Sequence, residues 1–489
     1  MSQATRIGCK QSSGSLQASG LEGKFKLNII QYTYQCPFYG KEETGESQFM
    51  ISLRFNLVHY CEKQKTGVQQ FDVDLIKSRP LVFFLCGGPG VGNSMDKYLE
   101  MILILLDLGY LVVFPDYRGT GDSQAEVMEK FDELLGVRNY SKVAEMSLRL
   151  LQGDIARDLE NVRLVAQGNG IPWAFGGQSF GTWGQSSYHS LFPEGKIRMY
   201  SAGGLPPIQI PIDDVFKTLF VGVKDANDEY YKKYREDIKR VKRIAKFLLD
   251  KESKKETQAA RDTGDLTARR FLCLGRSLSN SSVFFPKLHT LIQAMITDIE
   301  SGRKELSDQS LQLYLKADSW KFDERPFYAI LSERQYCSFK GWVSKWAAYR
   351  IAQTRHEFKW VGYDEPEAML NYFDVADDEP LYFSGEMIYP WFFDVYAALR
   401  KWKQVAEIVA HMPQKVDMYN MDAFKANTTP WTAVCGNKDM CVNIADSKKL
   451  ANEIPSITFK EVDGWEHAAI RTHQRQMMKE WGIGPPVMG

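Results

Sequence analysis

The stretch Phe175-Gly176-Gly177-Gln178-Ser179-Phe180-Gly181-Thr182 constrains this chain more than any other. Gly177 to Gly181 fits Gly-x-Ser-x-Gly, the pattern of a strand that turns so sharply into a helix that only glycine fits beside the serine. An ordinary Gly-Ser turn can carry the same letters, so the flanks decide. Pro172-Trp173-Ala174-Phe175 is a short apolar run suited to a buried strand, and Trp183 to Leu191 can lead away as a helix. Together they predict an elbow that exposes the Ser179 hydroxyl as a nucleophile.

A second glycine-rich loop follows another dense apolar strand, Pro80 to Leu85. Cys86-Gly87-Gly88-Pro89-Gly90-Val91-Gly92-Asn93-Ser94 admits three readings. As a phosphate loop it nearly matches Gly-x-x-x-x-Gly-Lys-Ser/Thr, but Asn93 stands where the lysine must be. As an oxyanion loop its glycines bring a backbone N–H close to a substrate carbonyl, which needs no lysine. As a plain Gly/Pro turn it carries no chemistry. The elbow downstream favours the second.

Periodicity then predicts a helix over Met95 to Leu108, a buried strand over Tyr110 to Pro115, the loop Asp116 to Ser123, a helix over Leu151 to Gln167, the elbow, and a strand over Lys196 to Ser201. Such alternation implies a mostly parallel sheet with helices on both faces. Upstream, Lys26 to Tyr34 and Met50 to Tyr60 read as a hairpin. Residues 1–25 read as a flexible tail; its first twenty residues are Ser-rich, carry Arg6 and Lys10 and lack acids, which also suits a transit peptide.

From 208 to 427 the pattern changes to long polar and aromatic helices, including Asp228 to Glu252, and then returns to strands at Pro430 to Cys435 and Ile457 to Val462. The expected organisation is a core of 26–207 and 428–489 split by a helical cap at 208–427. The aromatic density of Asp323 to Phe393 suits cap core, or a lid lining an apolar substrate pocket.

Asp439 follows one late strand and His467 the next, so Ser179, Asp439 and His467 come in the order that an α/β-hydrolase sheet requires. His467 would take the serine proton and Asp439 would hold the imidazole tautomer, with Asp446, Asp417 and Asp422 as competing acids. The oxyanion donors would be the N–H of Phe180 and that of Gly87 or Gly88.

Charge balance excludes other classes: 61 Lys and Arg against 61 Asp and Glu leave no basic excess for nucleic acid or an anionic membrane. The longest apolar run, Met101 to Pro115, is broken by Asp107 and Gly109. Eight scattered cysteines without Cys-x-x-Cys pairs suit free thiols in a reducing, cytoplasmic setting, with organellar import as the alternative. Cys435 and Cys441 lack a matching His/Cys pair for zinc, so neither a metal nor a cofactor is expected.

Gly-Gly-Pro-Gly at 87–90, Asp-Tyr-Arg-Gly-Thr-Gly-Asp-Ser at 116–123, Gly-Gly-Gln-Ser-Phe-Gly at 176–181 and Gly385-Glu386-Met387-Ile388-Tyr389-Pro390-Trp391 together resemble the proline iminopeptidase (prolyl aminopeptidase) family of α/β-hydrolases from about residue 80 onward. The resemblance implies a capped α/β-hydrolase fold and a serine aminopeptidase acting on peptides with a free N-terminus. It implies Ser179, Asp439 and His467 as the triad, Gly88 and Phe180 as oxyanion donors, and Glu386 as the cap acid that binds the substrate's amine. An ester or small amide without a free amine is the alternative substrate. Departures are Cys86 in place of histidine, Tyr117 in place of glutamine, and no second cap glutamate in Trp346 to Arg350, with Glu357 as a weak substitute.

Overall fold

The computed structural model describes residues 5–12, 27–38, 49–60, 80–167, 173–374 and 378–486. Lys26 and Pro172, read above as strand residues, and residues 1–4 and 13–25 of the expected tail lie outside these.

One sheet organises the molecule. Its strands are β1 (Thr5–Ser12), β2 (Leu27–Pro37), β3 (Met50–Tyr60), β4 (Leu81–Leu85), β5 (Leu111–Asp116), β6 (Trp173–Gln178), β7 (Lys196–Ala202), β8 (Trp431–Gly436) and β9 (Ile457–Val462). They lie in the order β1-β2-β3-β5-β4-β6-β7-β8-β9. The pairs β1–β2, β2–β3 and β3–β5 are antiparallel, and the pairings from β5 to β9 are parallel. Strands β4, β5 and β6 are buried along their whole length, as central strands covered on both faces must be. Their apolar runs interlock across the sheet, with Phe83 stacked on Trp173 at 3.7 Å between ring centroids.

The expected tail needs correction at Thr5–Ser12, which adds an antiparallel edge strand to β2, pairing with Gln35 back to Ile29. An edge strand gains its stability by satisfying the free N–H and C=O groups of its neighbour. That gain requires no apolar alternation and leaves no periodic mark in a polar sequence.

Strands β7 and β8 are neighbours, yet the whole stretch between Ala202 and Trp431 intervenes. Its described residues contribute helices and isolated bridges but no strand of the sheet. The helix read over 228–252 is two helices, Ile212–Lys233 and Asp237–Ser253. The break at Tyr234 draws Asp237 inward, where its buried carboxylate accepts from Tyr230 Oη at 2.5 Å and sits 2.8 Å from His289 Nδ1. The crowded aromatics Trp360, Phe373, Tyr389 and Trp391 are buried within the cap itself. Trp360 Nε1 donates to the Tyr382 carbonyl at 3.2 Å and Trp391 Nε1 to that of Val361 at 3.1 Å.

A mostly parallel sheet with β5 inserted between β3 and β4, and with a helical cap entering between β7 and β8, is the α/β-hydrolase fold. No helix among the described residues is long and apolar enough to cross a membrane.

Candidate active site

Strand β6 ends at Gln178, and the helix Phe180–Leu191 begins one residue after Ser179. Ser179 itself takes φ 54° and ψ −127°, a left-handed φ that costs a non-glycine residue about 1–3 kcal/mol. The surroundings hold it there. Its N–H donates to the Ala202 carbonyl at 3.1 Å, and its carbonyl accepts from the Thr182 N–H at 2.7 Å. Gly181 presses the new helix against the Leu85 carbonyl, where a Cβ would collide with backbone. The glycine after the serine is therefore a packing requirement as well as a turn residue.

The glycine-rich loop after β4 lies against this elbow. A Cβ on Gly87 would stand 2.7 Å from that of Ser179, and Gly88 has φ 88°. Among the described residues nothing accepts the N–H of Gly88 or of Phe180, so both remain available beside the serine. Asp116 anchors the far end of the loop, accepting from the N–H of Asn93 at 2.9 Å and of Asp122 at 3.3 Å; burial raises its carboxyl to about 6. Two of the three departures from the resembled pattern, Cys86 and Tyr117, meet here. Tyr117 Oη donates to the Cys86 carbonyl at 2.9 Å, and the Tyr117 ring packs edge-on against Phe180. Arg118 grips Asp158 through two bonds of 2.7 Å, so the Asp116 to Ser123 loop is scaffold for the elbow and oxyanion loop.

Of the competing acids, Asp439 is the one that meets the histidine. Its Oδ2 lies 2.8 Å from His467 Nδ1, while its Oδ1 accepts from the N–H of Cys441 and of Val442 at 2.9 Å each. The Asp439 side chain is wholly buried. Asp446 accepts from Thr218, and Asp417 from the Lys340 N–H. Burial pulls the imidazole pKa down, but Asp439, with Glu386 behind it, outweighs burial and the opposing Arg471, so His467 is raised above its ordinary 6.5.

Ser179 and His467 line the same cavity, yet the hydroxyl has no hydrogen-bond partner among the described residues. Instead Gln178 Nε2 lies 3.4 Å from His467 Nε2, and Gln178 Oε1 accepts from Arg471 at 3.3 Å. With Nδ1–H directed at Asp439, Nε2 is the acceptor of that contact, which is the tautomer a general base needs. Catalytic hydrogen bonds are commonly loose in the unliganded state and tighten once substrate is bound. Neither Gln178 nor Arg471 is given a role by the sequence, because the elbow pattern leaves the position of Gln178 free and Arg471 lies in no motif.

The cavity holds about 360 Å³ and is bounded by both core and cap, with Ser179, Phe180, Glu386 and His467 among its walls. The Tyr328 hydroxyl donates to Glu386 at 3.2 Å. The aromatic side chains of the cap that reach the cavity are Phe284, Tyr328 and Tyr336. Of the aromatics between Asp323 and Phe393, Tyr328 and Tyr336 therefore line it, while Trp360, Phe373, Tyr389 and Trp391 do not and belong to the core of the cap. Glu357 lies in a separate hollow with His356 and Tyr372, so it is no second acid for this site.

The buried acid that meets the backbone of the searched segment Trp346 to Arg350 is Glu333, and its role is structural. Its oxygens accept from the N–H groups of Ala347 at 3.1 Å and Ala348 at 2.9 Å, at the start of the helix Ala347–Thr354. Burial raises its carboxyl from 4.5 to about 7. A raised folded-state value means that stability is greatest below 4.5 and declines as pH rises through about 7. Thermal melts should therefore show the wild type losing more stability than Glu333→Gln on going from pH 5 to pH 8; parallel losses would contradict this account.

Ligand atoms of Asp439, Cys441 and His467 lie within 4.8 Å of one another, the geometry of a possible cation site. Asp439 and His467 are already bonded together, however, and burial drives the Cys441 thiol well above its ordinary range, which opposes the thiolate a metal would need. Cys36, Cys86, Cys273, Cys337, Cys435 and Cys441 are all buried and unpaired.

No family model matches the chain. It is 28% identical over 404 residues to a proline iminopeptidase of Aspergillus aculeatus, covering 82% of this chain and 83% of the relative. It is 26% identical over 403 residues to a proline iminopeptidase of Aeromonas sobria, covering 82% and 86%. A solved proline iminopeptidase of Mycobacterium smegmatis superposes with a TM-score of 0.36 at 11% identity, covering 88% of this chain and 92% of that one, a likeness too loose to carry argument. The resemblance to proline iminopeptidases thus extends over four fifths of the sequence.

Proposed function

We propose that this α/β-hydrolase is a serine aminopeptidase that releases an N-terminal residue, preferably proline, from peptides through an acyl-enzyme. The observation that carries the reading is one cavity containing the elbow serine, a histidine bonded to a buried aspartate, and a single lining carboxylate, Glu386.

On this reading the substrate's ammonium pairs with Glu386, which places the first peptide bond over Ser179. His467 takes the Ser179 proton through Nε2 as the oxygen attacks the carbonyl carbon, and Asp439 stabilises the imidazolium that forms. The N–H groups of Gly88 and Phe180 receive the tetrahedral oxyanion. His467 then gives its proton to the departing amine, and water enters by the same base to hydrolyse the ester. Proline suits the reading because it is the residue named by both relatives, at 28% and 26% identity.

The test is a panel of aminoacyl fluorogenic amides with wild type and Ser179→Ala. Proline amide should be the best substrate, with turnover falling by about 10⁴-fold or more in the variant. Equal turnover by the two proteins would remove Ser179 from the mechanism.

A further inference from the structure

The charge of the cavity is out of proportion to an ammonium site. Against the single carboxylate of Glu386, its walls carry Lys97 and Arg471 from the core and Arg276, Lys287, Lys316 and Arg325 from the cap. None of the six forms an ion pair with a described residue. Elsewhere the buried guanidiniums of Arg118 and Arg270 are paired with carboxylates, those of Asp158 and Asp318, whereas Arg334 is met by Gln414 and Cys337.

Two of these cations are held in place without being neutralised. Arg276 Nη1 donates to the Ser319 carbonyl at 2.9 Å, and Arg325 Nη2 to the same oxygen at 3.3 Å. Arg276 also lies over the rings of Trp320 and Tyr328, with its guanidinium carbon 5.0 and 4.7 Å from their centroids. Tyr328 is the residue that donates to Glu386, so the guanidinium and the proposed ammonium receptor are separated by one aromatic ring. Arg325 Nε is buried and has no hydrogen-bond partner among the described residues. The nearby acid Glu324 is exposed and taken up by Lys321 at 3.1 Å. Burial and Arg276 together lower the Arg325 pKa, and burial and Arg471 lower that of Lys97. Clustered cations of this kind repel one another until an anion arrives.

We propose that the cavity selects peptides whose leaving portion carries a carboxylate close to the scissile bond, received by Arg276 and Arg325 in the field of Lys97 and Arg471. The assignment rests on the aminopeptidase reading. In that reading Glu386 accounts for the ammonium, and a prolyl group offers no anion, so the cations face the part of the substrate that departs. A cavity of about 360 Å³ accommodates two or three residues, which puts a short peptide's C-terminal carboxylate, or an acidic side chain next to the cut, within the cationic half. The enzyme would then read a short peptide by both of its charges.

The experiment compares kcat/KM within matched pairs. Pro-Gly against Pro-Gly-amide reads the C-terminal source, and Pro-Glu-amide against Pro-Gln-amide reads the side-chain source. At least one pair should favour the carboxylate by about tenfold or more, chiefly through KM, because a charge-assisted bond is at stake. The ratio should shrink in about 1 M NaCl. It should approach one in Arg276→Gln and Arg325→Gln and persist in Arg325→Lys, which keeps the charge if the glutamine variant fails to fold. Ratios near one in the wild type, or ratios unmoved by both glutamine substitutions and by salt, overturn the proposal. If no prolyl substrate is cleaved at all, the aminopeptidase reading has failed separately. Calorimetric titration with glutarate then decides the anion site: binding lost in the glutamine variants supports it, and no binding to the wild type ends it.

Discussion

An Asp439→Asn variant is expected to fold like the wild type and to lose about 10⁴-fold in kcat on every substrate the enzyme turns over. The asymmetry of the carboxylate's contacts explains why. Oδ1 accepts from the N–H groups of Cys441 and Val442, and an asparagine oxygen in that place preserves both bonds and the turn after β8. The amide nitrogen then occupies the position of Oδ2, 2.8 Å from His467 Nδ1, and donates where the carboxylate accepted. The imidazole must answer with an unprotonated Nδ1, which puts its proton on Nε2 and leaves no lone pair for the Ser179 proton. The loss is therefore one of tautomer and charge, and circular dichroism with a thermal melt should show near-native stability. Asp446→Asn and Asp417→Asn serve as controls, since those acids bond to Thr218 and to the Lys340 N–H. Both should stay within about twofold of wild type, as substitutions that touch no group of the proposed machinery usually do. Wild-type kinetics in Asp439→Asn would dismantle the proposed proton path.

The parts of this site that were legible in sequence are those where backbone geometry dictates residue type. Gly181 faces the Leu85 carbonyl and Gly87 faces the Ser179 Cβ, so each must be glycine, and each appears in a readable motif. The central strands were legible because burial on both faces demands continuous apolar runs. Three kinds of feature were not legible. The strand β1 is held by backbone bonds to β2 and has no periodic signature. The helix expected over Trp183 to Leu191 forms as Phe180–Leu191, but its burial was not legible in so much serine and glutamine: Ser186, Ser187 and Ser190 return their hydroxyls to backbone carbonyls and Gln185 bonds to the Tyr200 carbonyl. Which of the cap's aromatics face the cavity was open, since a dense aromatic sequence reports burial and says nothing about what the buried rings face. Histidine shows the limit well: His189 is also buried, but with Met199 and Trp431 as neighbours it falls to about 3 and stays neutral, whereas His467 beside Asp439 is raised. The order of strands singled out His467, and the folded environment shows why the two imidazoles differ in charge.

Glu386→Gln should discriminate between substrates in a way that no change at the triad can. If the carboxylate receives the substrate's ammonium, its neutral isostere removes a charge-assisted pair in a partly dehydrated cavity, and kcat/KM for free-amine prolyl substrates should fall by about 10²-fold. An ester with no amine makes no such contact and should lose little. The same variant makes a second prediction through His467. Glu386 helps to raise the imidazole's pKa, and activity requires the neutral form, which grows as pH rises through that pKa. Removing the negative charge must therefore shift the acidic limb of kcat/KM to lower pH, measured on the amine-free ester so that binding loss does not intrude. The two readouts separate the possible roles of the residue. A loss on both substrate types with an unmoved limb would make Glu386 a structural partner of Tyr328. An unchanged free-amine activity would return the choice of substrate to esters or amides that lack an ammonium. A selective loss accompanied by a downward limb would identify one carboxylate that both fixes the register of cleavage at the first peptide bond and tunes the base that performs it.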